Sequence, residues 1–272
     1  MIENVTLMSS VNAFFFDLDG CIYFTDRLAA GAADLVLKLK DAEKKVCFIT
    51  NNSRQTSVEV AEKLLHMGLN VSAEEVITAT DMTGRYILDQ YGVSVLKVAG
   101  SASLCASLES AGHRILPLDS QDAADAIVVG RDTDFTYQKL GWISLEAGRG
   151  ARIIGANADL THPGRDGEKV PETGALVAAV EAVTGKKASY VGKPEPHLFL
   201  YGLQMCGEKA GECAMVGDNY DTDILGGKRA GMHTVWVNSL LKKEDGAADS
   251  MWPAADYGVS DMVALAELLF RS

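Results

Sequence analysis

Two aspartates near the start of the chain have the type and spacing of catalytic carboxylates. Asp17 and Asp19 follow the apolar run 13–16 and precede Gly20. Two carboxylates this close repel each other unless a cation lies between them or one of them takes up a proton. The pair therefore indicates a metal site, a nucleophile with an acid/base partner, or both.

The pair is a weak indication by itself, because Asp-x-Asp occurs three times in this acidic chain. The other two pairs are Asp132/Asp134 and Asp221/Asp223. Aspartate is also common in turns for structural reasons, since its side chain hydrogen-bonds to nearby backbone. A capped turn is an equally good interpretation of the first pair taken alone, and a structural role is favoured for Asp132/Asp134.

Three further polar segments also follow strand-like runs. They are Thr50-Asn51-Asn52-Ser53-Arg54, Gly192-Lys193-Pro194 and Gly217-Asp218-Asn219-Tyr220-Asp221-Thr222-Asp223. Ligands of open parallel sheets bind outside the carboxyl ends of the strands, so these segments and the first pair are expected to converge on one crevice. Each has a structural alternative when taken alone: a strand cap, a solvated turn, or a turn with a helix N-cap.

Strand-like and helix-like segments alternate along the chain. The strand-like runs are 13–16, 46–50, 95–99, 126–129, 152–155, 189–191, 214–217 and 233–237. The helix-like segments are 32–44, 58–69, 172–184, 197–206 and 222–230, and a capping-box pattern at 72–75 predicts one more. This alternation predicts an α/β fold with a doubly wound, Rossmann-like parallel sheet and right-handed crossovers.

Composition restricts the partners. The chain has 272 residues, 47% hydrophobic and 23% charged, with a net charge of −12 and no basic stripe. These values favour a globular protein and argue against nucleic acid or an anionic membrane as a partner. No signal peptide or membrane-spanning run is seen, and the five scattered cysteines fit reduced thiols, so a cytoplasmic protein is expected.

The chemistry of these residue types suits phosphoryl transfer. An aspartate nucleophile divides the reaction through an aspartyl-phosphate, and a second carboxylate protonates the leaving oxygen and later activates water. A hydroxyl, an amide and a lysine can hold the phosphate oxygens. Magnesium, which favours carboxylate and water oxygens, would neutralise the repulsion between carboxylate and phosphate.

With these four polar segments, the sequence resembles the haloacid dehalogenase (HAD) superfamily, in its class IIA, para-nitrophenyl phosphatase-like branch. The resemblance spans nearly the whole chain, with all four motifs in order. It implies that Asp17 is the nucleophile and a metal ligand, and that Asp19 is the general acid/base and offers its backbone carbonyl to the metal. It also implies that Asp218 binds Mg²⁺. Asp223 and Asn219 would support the ligands without binding the metal directly.

The resemblance also implies phosphate binding by Thr50, Asn51 and Lys193. About 30 residues separate Asp19 from Thr50, whereas about 140 separate Thr50 from Lys193. A gap that long predicts an inserted domain. We expect a HAD core at 1–80 and 188–272 and a smaller α/β cap at 81–187, which would select the substrate.

The segment 157–163 resembles the specificity loop of this branch. His162-Pro163 is similar to the His-Pro of its pyridoxal phosphate phosphatases. A surface-loop histidine beside a proline turn is the favoured alternative. The candidates for substrate selection are Asn52, Arg54, Asn157, Asp159 and His162.

The sequence thus predicts a magnesium-dependent phosphatase for small phosphorylated metabolites, of the sugar phosphate, nucleotide, phosphoglycolate or pyridoxal phosphate type. A phosphotransferase or mutase would keep all four motifs and stays open. A non-catalytic regulator that binds a phosphorylated metabolite would tend to have lost Asp17 or Asp19. An oxidoreductase is disfavoured, because no G-x-G-x-x-G follows the first strand. The resemblance is also compatible with a homodimer.

Overall fold

A computed structural model describes residues 10–164, 168–238 and 255–270. The chain divides into two compact units. The first comprises the described residues of 1–50, 61–77 and 199–272, and the second comprises those of 51–60 and 78–198. The described helices include none with the length and hydropathy that a membrane crossing requires.

Strands and helices alternate, as expected. The strands are β1 (Ala13–Phe16), β2 (Tyr23–Phe24), β3 (Arg27–Leu28), β4 (Lys45–Thr50), β5 (Val76–Thr78), β6 (Val95–Ala99), β7 (Arg114–Leu116), β8 (Ala126–Val129), β9 (Arg152–Gly155), β10 (Thr161–Pro163), β11 (Lys169–Pro171), β12 (Ser189–Tyr190), β13 (Cys213–Gly217), β14 (His233–Val237) and β15 (Tyr257–Val259). The α-helices are α1 (Ala32–Asp41), α2 (Ser57–His66), α3 (Ala79–Tyr91), α4 (Ala102–Ser110), α5 (Tyr137–Gly148), α6 (Thr173–Thr184), α7 (His197–Cys206), α8 (Leu225–Arg229) and α9 (Met262–Phe270).

The sheet of the first unit has six strands in the order β15-β14-β13-β1-β4-β5. β1 pairs in parallel with β4 on one side and with β13 on the other. The chain therefore winds outward from β1 in one direction and from β13 in the other. The point where the strand order reverses lies between β1 and β13, which is where doubly wound sheets bind ligands.

The central strands form because their residues are apolar on both faces. All residues of β1 and β13 are buried, and Phe14, Phe15 and Phe16 have no exposed surface. Continuous apolar strands are typical of parallel sheets that helices cover on both sides. Such strands are rigid, so the residues that follow them are held in fixed positions.

The second unit has its own five-stranded sheet, in the order β12-β9-β8-β6-β7 and parallel throughout. Its core includes Ile127 and Val129 of β8, Ile143 of α5, and Val177 and Val180 of α6. The predicted α/β fold, with a Rossmann-like parallel sheet and a second α/β unit inserted in the sequence, is confirmed.

Local expectations differ from the structure in two places. The helix predicted after Ser72 is wrong: the capping box closes only the short 3₁₀ turn Ala73–Glu75, and the β-branched run of β5 follows. The helix predicted over 222–230 is a wide π-type turn (Tyr220–Ile224) followed by the short helix α8.

The bounds of the two units also differ from the predicted core and cap segments. Residues 51–60, 78–80 and 188–198 group with the second unit, although the sequence predicts them to be part of the core. Residues 51–60 and 188–198 both hydrogen-bond to the loop after β9: Asn157 Nδ2 donates to Asn51 O, and the Gly192 N–H donates to Ala156 O. The division into a core and a cap stays a prediction.

Candidate active site

Three carboxylates meet beside the reversal point of the first sheet. Asp17 directly follows β1, and its backbone N–H donates to Val216 O of β13 at 2.9 Å. Asp218 directly follows β13, and Asp223 lies in the π-type turn after it. One carboxylate oxygen from each of Asp17, Asp218 and Asp223 lies within 4.8 Å of the other two. The two central strands thus bring together groups that are some 200 residues apart in sequence.

The π-type turn holds Asp223 in place. Asp223 Oδ2 accepts from the backbone N–H of Asn219 at 3.1 Å, and the Asp223 N–H donates to Asn219 O at 2.9 Å. Asn219 Oδ1 in turn accepts from the N–H groups of Asp221 and Thr222. Asp223 is fully buried against Gly217, where a Cβ would overlap its carboxylate. Glycine at this position gives the carboxylate its space.

The backbone of Asp218 is anchored from the neighbouring strand. Trp236 Nε1 of β14 donates to Asp218 O at 2.8 Å. The Trp236 ring also makes an edge contact with Tyr220, with ring centroids 5.3 Å apart. Two aromatic side chains therefore fix the loop that carries the Asp218 carboxylate.

The donor set of this cluster fits a hard divalent cation. Three carboxylates lie within 4.8 Å of one another, and two of them are buried. Carboxylates this close repel one another when they are ionised, and a cation between them removes that repulsion. Carboxylate oxygens are the protein ligands that magnesium prefers. The residues present thus match a magnesium site, and the carboxylates of Asp17, Asp218 and Asp223 are close enough together to hold the ion. That Asp223 only supports the ligands, and that the Asp19 carbonyl binds the metal, stay predictions.

Gly20 is the residue that lets Asp218 approach the Asp-x-Asp turn. Gly20 has φ +93°, and a Cβ there would lie 2.9 Å from Asp218 Cγ. We expect Gly20→Ala to displace the Asp218 carboxylate and to weaken magnesium binding by about 10-fold or more. Losses of this size in metal affinity are typical when the groups that position a metal ligand are disturbed. Calorimetric titration with magnesium measures this directly.

Gly68→Ala is the matched control for that experiment. Gly68 has nearly the same backbone angle, φ +96°, but a Cβ there would meet no atom within 4 Å. Both variants carry the strain of a positive φ, about 1–2 kcal/mol, and only Gly20→Ala adds the clash. Equal magnesium affinities for the two variants would contradict the spacer role of Gly20.

Asp19 lies outside the cluster of Asp17, Asp218 and Asp223, and it has a partner that was not predicted from the sequence. The Tyr23 hydroxyl donates to Asp19 Oδ2 at 2.6 Å. Tyr23 is buried, and the Lys63 ammonium lies 3.9 Å from the centre of its ring. Burial first, and then the Asp19 carboxylate, raise the pKa of the Tyr23 phenol, so the hydroxyl stays protonated and donates. The signal in the sequence was a tyrosine four residues after Asp19, at the start of the β2–β3 hairpin.

The predicted phosphate-binding residues are divided between the two units. Thr50 ends β4 in the first unit and is buried. Asn51 and Lys193 belong to the second unit, where Asn51 Oδ1 accepts from the Lys193 N–H at 2.7 Å and Asn51 Nδ2 donates to Lys193 O at 3.0 Å. The Asn51 side chain therefore hydrogen-bonds to both the backbone N–H and the backbone carbonyl of Lys193.

The same asparagine contacts the predicted specificity loop. Asn51 Nδ2 also donates to Asp159 Oδ2 at 2.9 Å. Asn157 Nδ2 donates to Asn51 O at 2.7 Å, and Asn157 Oδ1 accepts from the Asp159 N–H at 3.0 Å. Asn157 and Asp159 thus connect Asn51 to the loop after β9.

The other predicted specificity residues have local contacts. Asn52 Oδ1 accepts from the N–H groups of Arg54 and Gln55, which is an Asx turn. Arg54 and His162 are half-buried, and His162 lies on β10 opposite Val170 of β11. Their assignment to substrate selection stays a prediction.

The Asp-x-Asp pair of the second unit makes structural contacts. Asp132 Oδ2 pairs with Lys139 Nζ at 2.6 Å, and its Oδ1 accepts from the Asp134 N–H at 2.9 Å. Asp134 itself is exposed. These contacts agree with the structural interpretation of this pair.

Comparison with known proteins identifies the family. The model of the haloacid dehalogenase-like hydrolases matches residues 14–114, and a HAD-hydrolase-like model matches residues 190–264. An acid sugar phosphatase of Staphylococcus epidermidis is 33% identical over 262 residues, which cover 96% of this chain and 99% of that protein.

Solved structures give the same result. The 4-nitrophenylphosphatase of Thermotoga maritima superimposes with a TM-score of 0.86 at 28% identity, covering 97% of this chain and 99% of that one. A double mutant of the thermostable NPPase of Geobacillus stearothermophilus gives a TM-score of 0.81 at 32% identity, covering 93% and 97%. The predicted family and enzyme class are confirmed. The chain belongs to the haloacid dehalogenase-like hydrolases, in their para-nitrophenyl phosphatase-like branch, and is a phosphoric monoester hydrolase.

Proposed function

We propose that this chain is a magnesium-dependent phosphatase that hydrolyses small phosphorylated metabolites, sugar phosphates foremost, through an aspartyl-phosphate on Asp17. The observation that carries the proposal is the cluster of Asp17, Asp218 and Asp223 at the reversal point of the parallel sheet, with Asp19 two residues beyond Asp17. The names of the curated relatives support sugar phosphates over the other classes in the prediction.

In the first half-reaction, a carboxylate oxygen of Asp17 attacks phosphorus and the bond from phosphorus to the ester oxygen breaks. Asp19, protonated at this stage, gives its proton to the departing oxygen, so the product leaves as an alcohol. Thr50, Asn51 and Lys193 are the residues assigned to the phosphate oxygens, through a hydroxyl, a backbone N–H and an ammonium group. When bound, magnesium would supply positive charge that offsets the repulsion between Asp17 and the phosphate dianion.

In the second half-reaction, Asp19 is ionised and takes a proton from water. The water oxygen attacks phosphorus, the bond to Asp17 breaks, and inorganic phosphate leaves. Asp17 is again a carboxylate and Asp19 again carries a proton, so the enzyme is ready for the next ester. Asp19 is exposed, in agreement with access to water and to leaving groups.

The direct test is a screen of the purified protein against sugar phosphates, nucleotides, phosphoglycolate and pyridoxal phosphate, with released phosphate as the readout. We expect turnover with magnesium and a loss of more than about 10²-fold after chelation, restored when magnesium is added back. A protein that turns over equally well after chelation would contradict the assigned metal role. A screen in which no phosphorylated metabolite is hydrolysed would contradict the proposed function.

The role of His162 can be separated from the chemistry. If His162 contacts the leaving group, His162→Ala should lower kcat/KM for the best metabolite and spare para-nitrophenyl phosphate, because only substrate binding is lost. Phe135→Leu is the control, because Phe135 packs against the hydrophobic core of the second unit. It shows how much kcat/KM falls when the packing of that unit is weakened at another position. An equal response of both substrates, or none, would assign selection to other residues.

A further inference from the structure

We infer that Tyr23 is a positioning residue for the acid/base carboxylate: its hydroxyl holds Asp19 in the orientation that proton transfer requires. The inference rests on the proposed role of Asp19. The Tyr23 hydroxyl contacts Asp19, so Tyr23 would act through that carboxylate.

The contact has the geometry of a strong hydrogen bond. The Tyr23 hydroxyl lies 2.6 Å from Asp19 Oδ2, within the short range typical of O–H donors to carboxylates. Asp19 is exposed, whereas Tyr23 is buried, so the hydrogen bond ties an exposed carboxylate to a buried residue. With Oδ2 engaged by the phenol, rotation of the carboxylate is restricted, and Asp19 is held in one orientation.

Tyr23 can do this because its own position is fixed. Its backbone N–H donates to Leu18 O at 3.1 Å, and its carbonyl accepts from the Gly20 N–H at 2.9 Å, so the residue is bonded to both sides of Asp19. Tyr23 is 1% exposed, and the Lys63 ammonium lies 3.9 Å from the centre of its ring. A cation over the face of the ring adds a further attraction that keeps the ring in this orientation.

Proton transfer is sensitive to such restraint. A general acid must lie within hydrogen-bond reach of the leaving oxygen at the moment the ester bond breaks, and a misplaced group loses much of its effect. The same carboxylate oxygen must later face the attacking water. A fixed Asp19 therefore contributes to both half-reactions. In Tyr23→Phe the ring would fill the same space in the core, but the hydrogen bond that holds Asp19 would be lost.

The test is a double-mutant cycle with Tyr23→Phe, Asp19→Asn and the double variant. Each is assayed with magnesium on an alkyl phosphate, whose leaving oxygen needs a proton, and on para-nitrophenyl phosphate, whose leaving oxygen needs one much less. Tyr137→Phe removes a hydroxyl from a tyrosine that is 92% exposed and serves as the control. Rapid-mixing measurements separate the first release of nitrophenolate, which belongs to the first half-reaction, from the steady-state rate.

We expect Tyr23→Phe to lower kcat for the alkyl phosphate by about 10- to 100-fold, the range for a hydrogen bond to a charged group, with little change in KM. The first release of nitrophenolate should be affected much less. In the Asp19→Asn background, Tyr23→Phe should have no further effect beyond about twofold.

Three outcomes would overturn the inference. Equal losses for both esters would mean that the hydroxyl supports the fold, and additive losses in the double variant would mean that it acts independently of Asp19. A faster Tyr23→Phe enzyme would mean that the phenol holds the carboxylate away from the leaving group. Near-normal turnover of Asp19→Asn alone would instead contradict the proposed acid/base role, so the two failures are distinguishable.

Discussion

Replacement of Asp17 by asparagine is expected to abolish turnover and leave the fold intact. The amide has nearly the same shape as the carboxylate but is a far poorer nucleophile, so no aspartyl-phosphate forms. Loss of a covalent nucleophile typically costs more than about 10³-fold in kcat. Released phosphate and trapping of the phosphoenzyme are the two measurements. Near-normal turnover would contradict the assignment of Asp17 as the nucleophile.

The same variant has a second expected result, which concerns stability. One of three mutually repelling carboxylates is removed from the cluster of Asp17, Asp218 and Asp223. Without magnesium, Asp17→Asn should therefore unfold at the same temperature as the parent protein or at a higher one, while magnesium should stabilise it less. Asp134→Asn, in the exposed position of the Asp-x-Asp pair of the second unit, should change neither activity nor the magnesium response.

The position of this cluster could be predicted because it depends on rules that are local to the sequence. The run 13–16 is short, aromatic-rich and followed by a glycine turn, which favours a buried strand, and the residues after such a strand lie at the carboxyl edge of a parallel sheet. The same argument placed Asp218 after β13. β1 and β13 pair in parallel with Phe16 opposite Val216, so Asp17 and Asp218, which follow these strands, lie close together.

Other contacts could not be predicted, because they depend on turns or on distant partners. The Tyr23 hydroxyl reaches Asp19 only because the chain reverses at Gly20, whose φ is +93°. The Asn51–Asp159 hydrogen bond joins residues 108 positions apart and has no signature in either segment. The capping box at Ser72 was genuine, yet the β-branched residues after it favoured a strand over a helix.

The Asn51–Asp159 contact leads to a prediction with a large effect on stability. Asn51→Asp removes the two N–H donations to Asp159 Oδ2 and Lys193 O, and places a second carboxylate about 3 Å from Asp159 in a half-buried site. Unsatisfied acceptors and like charges of this kind cost about 2–3 kcal/mol. We expect the unfolding midpoint to fall by about 5–10 °C, measured by thermal denaturation, for a chain of this size.

Exchange of the two side chains tests whether that loss arises from the pair itself. In Asn51→Asp/Asp159→Asn, the new amide can donate to the new carboxylate, and the Lys193 N–H keeps its acceptor, so most of the lost stability should return. Rescue should be incomplete, because the Lys193 carbonyl still lacks its donor. Asp159→Asn alone keeps an acceptor for Asn51 and should be nearly neutral. A double variant no more stable than Asn51→Asp would mean that the two side chains do not meet in solution, and the link between Asn51 and the specificity loop would then be lost.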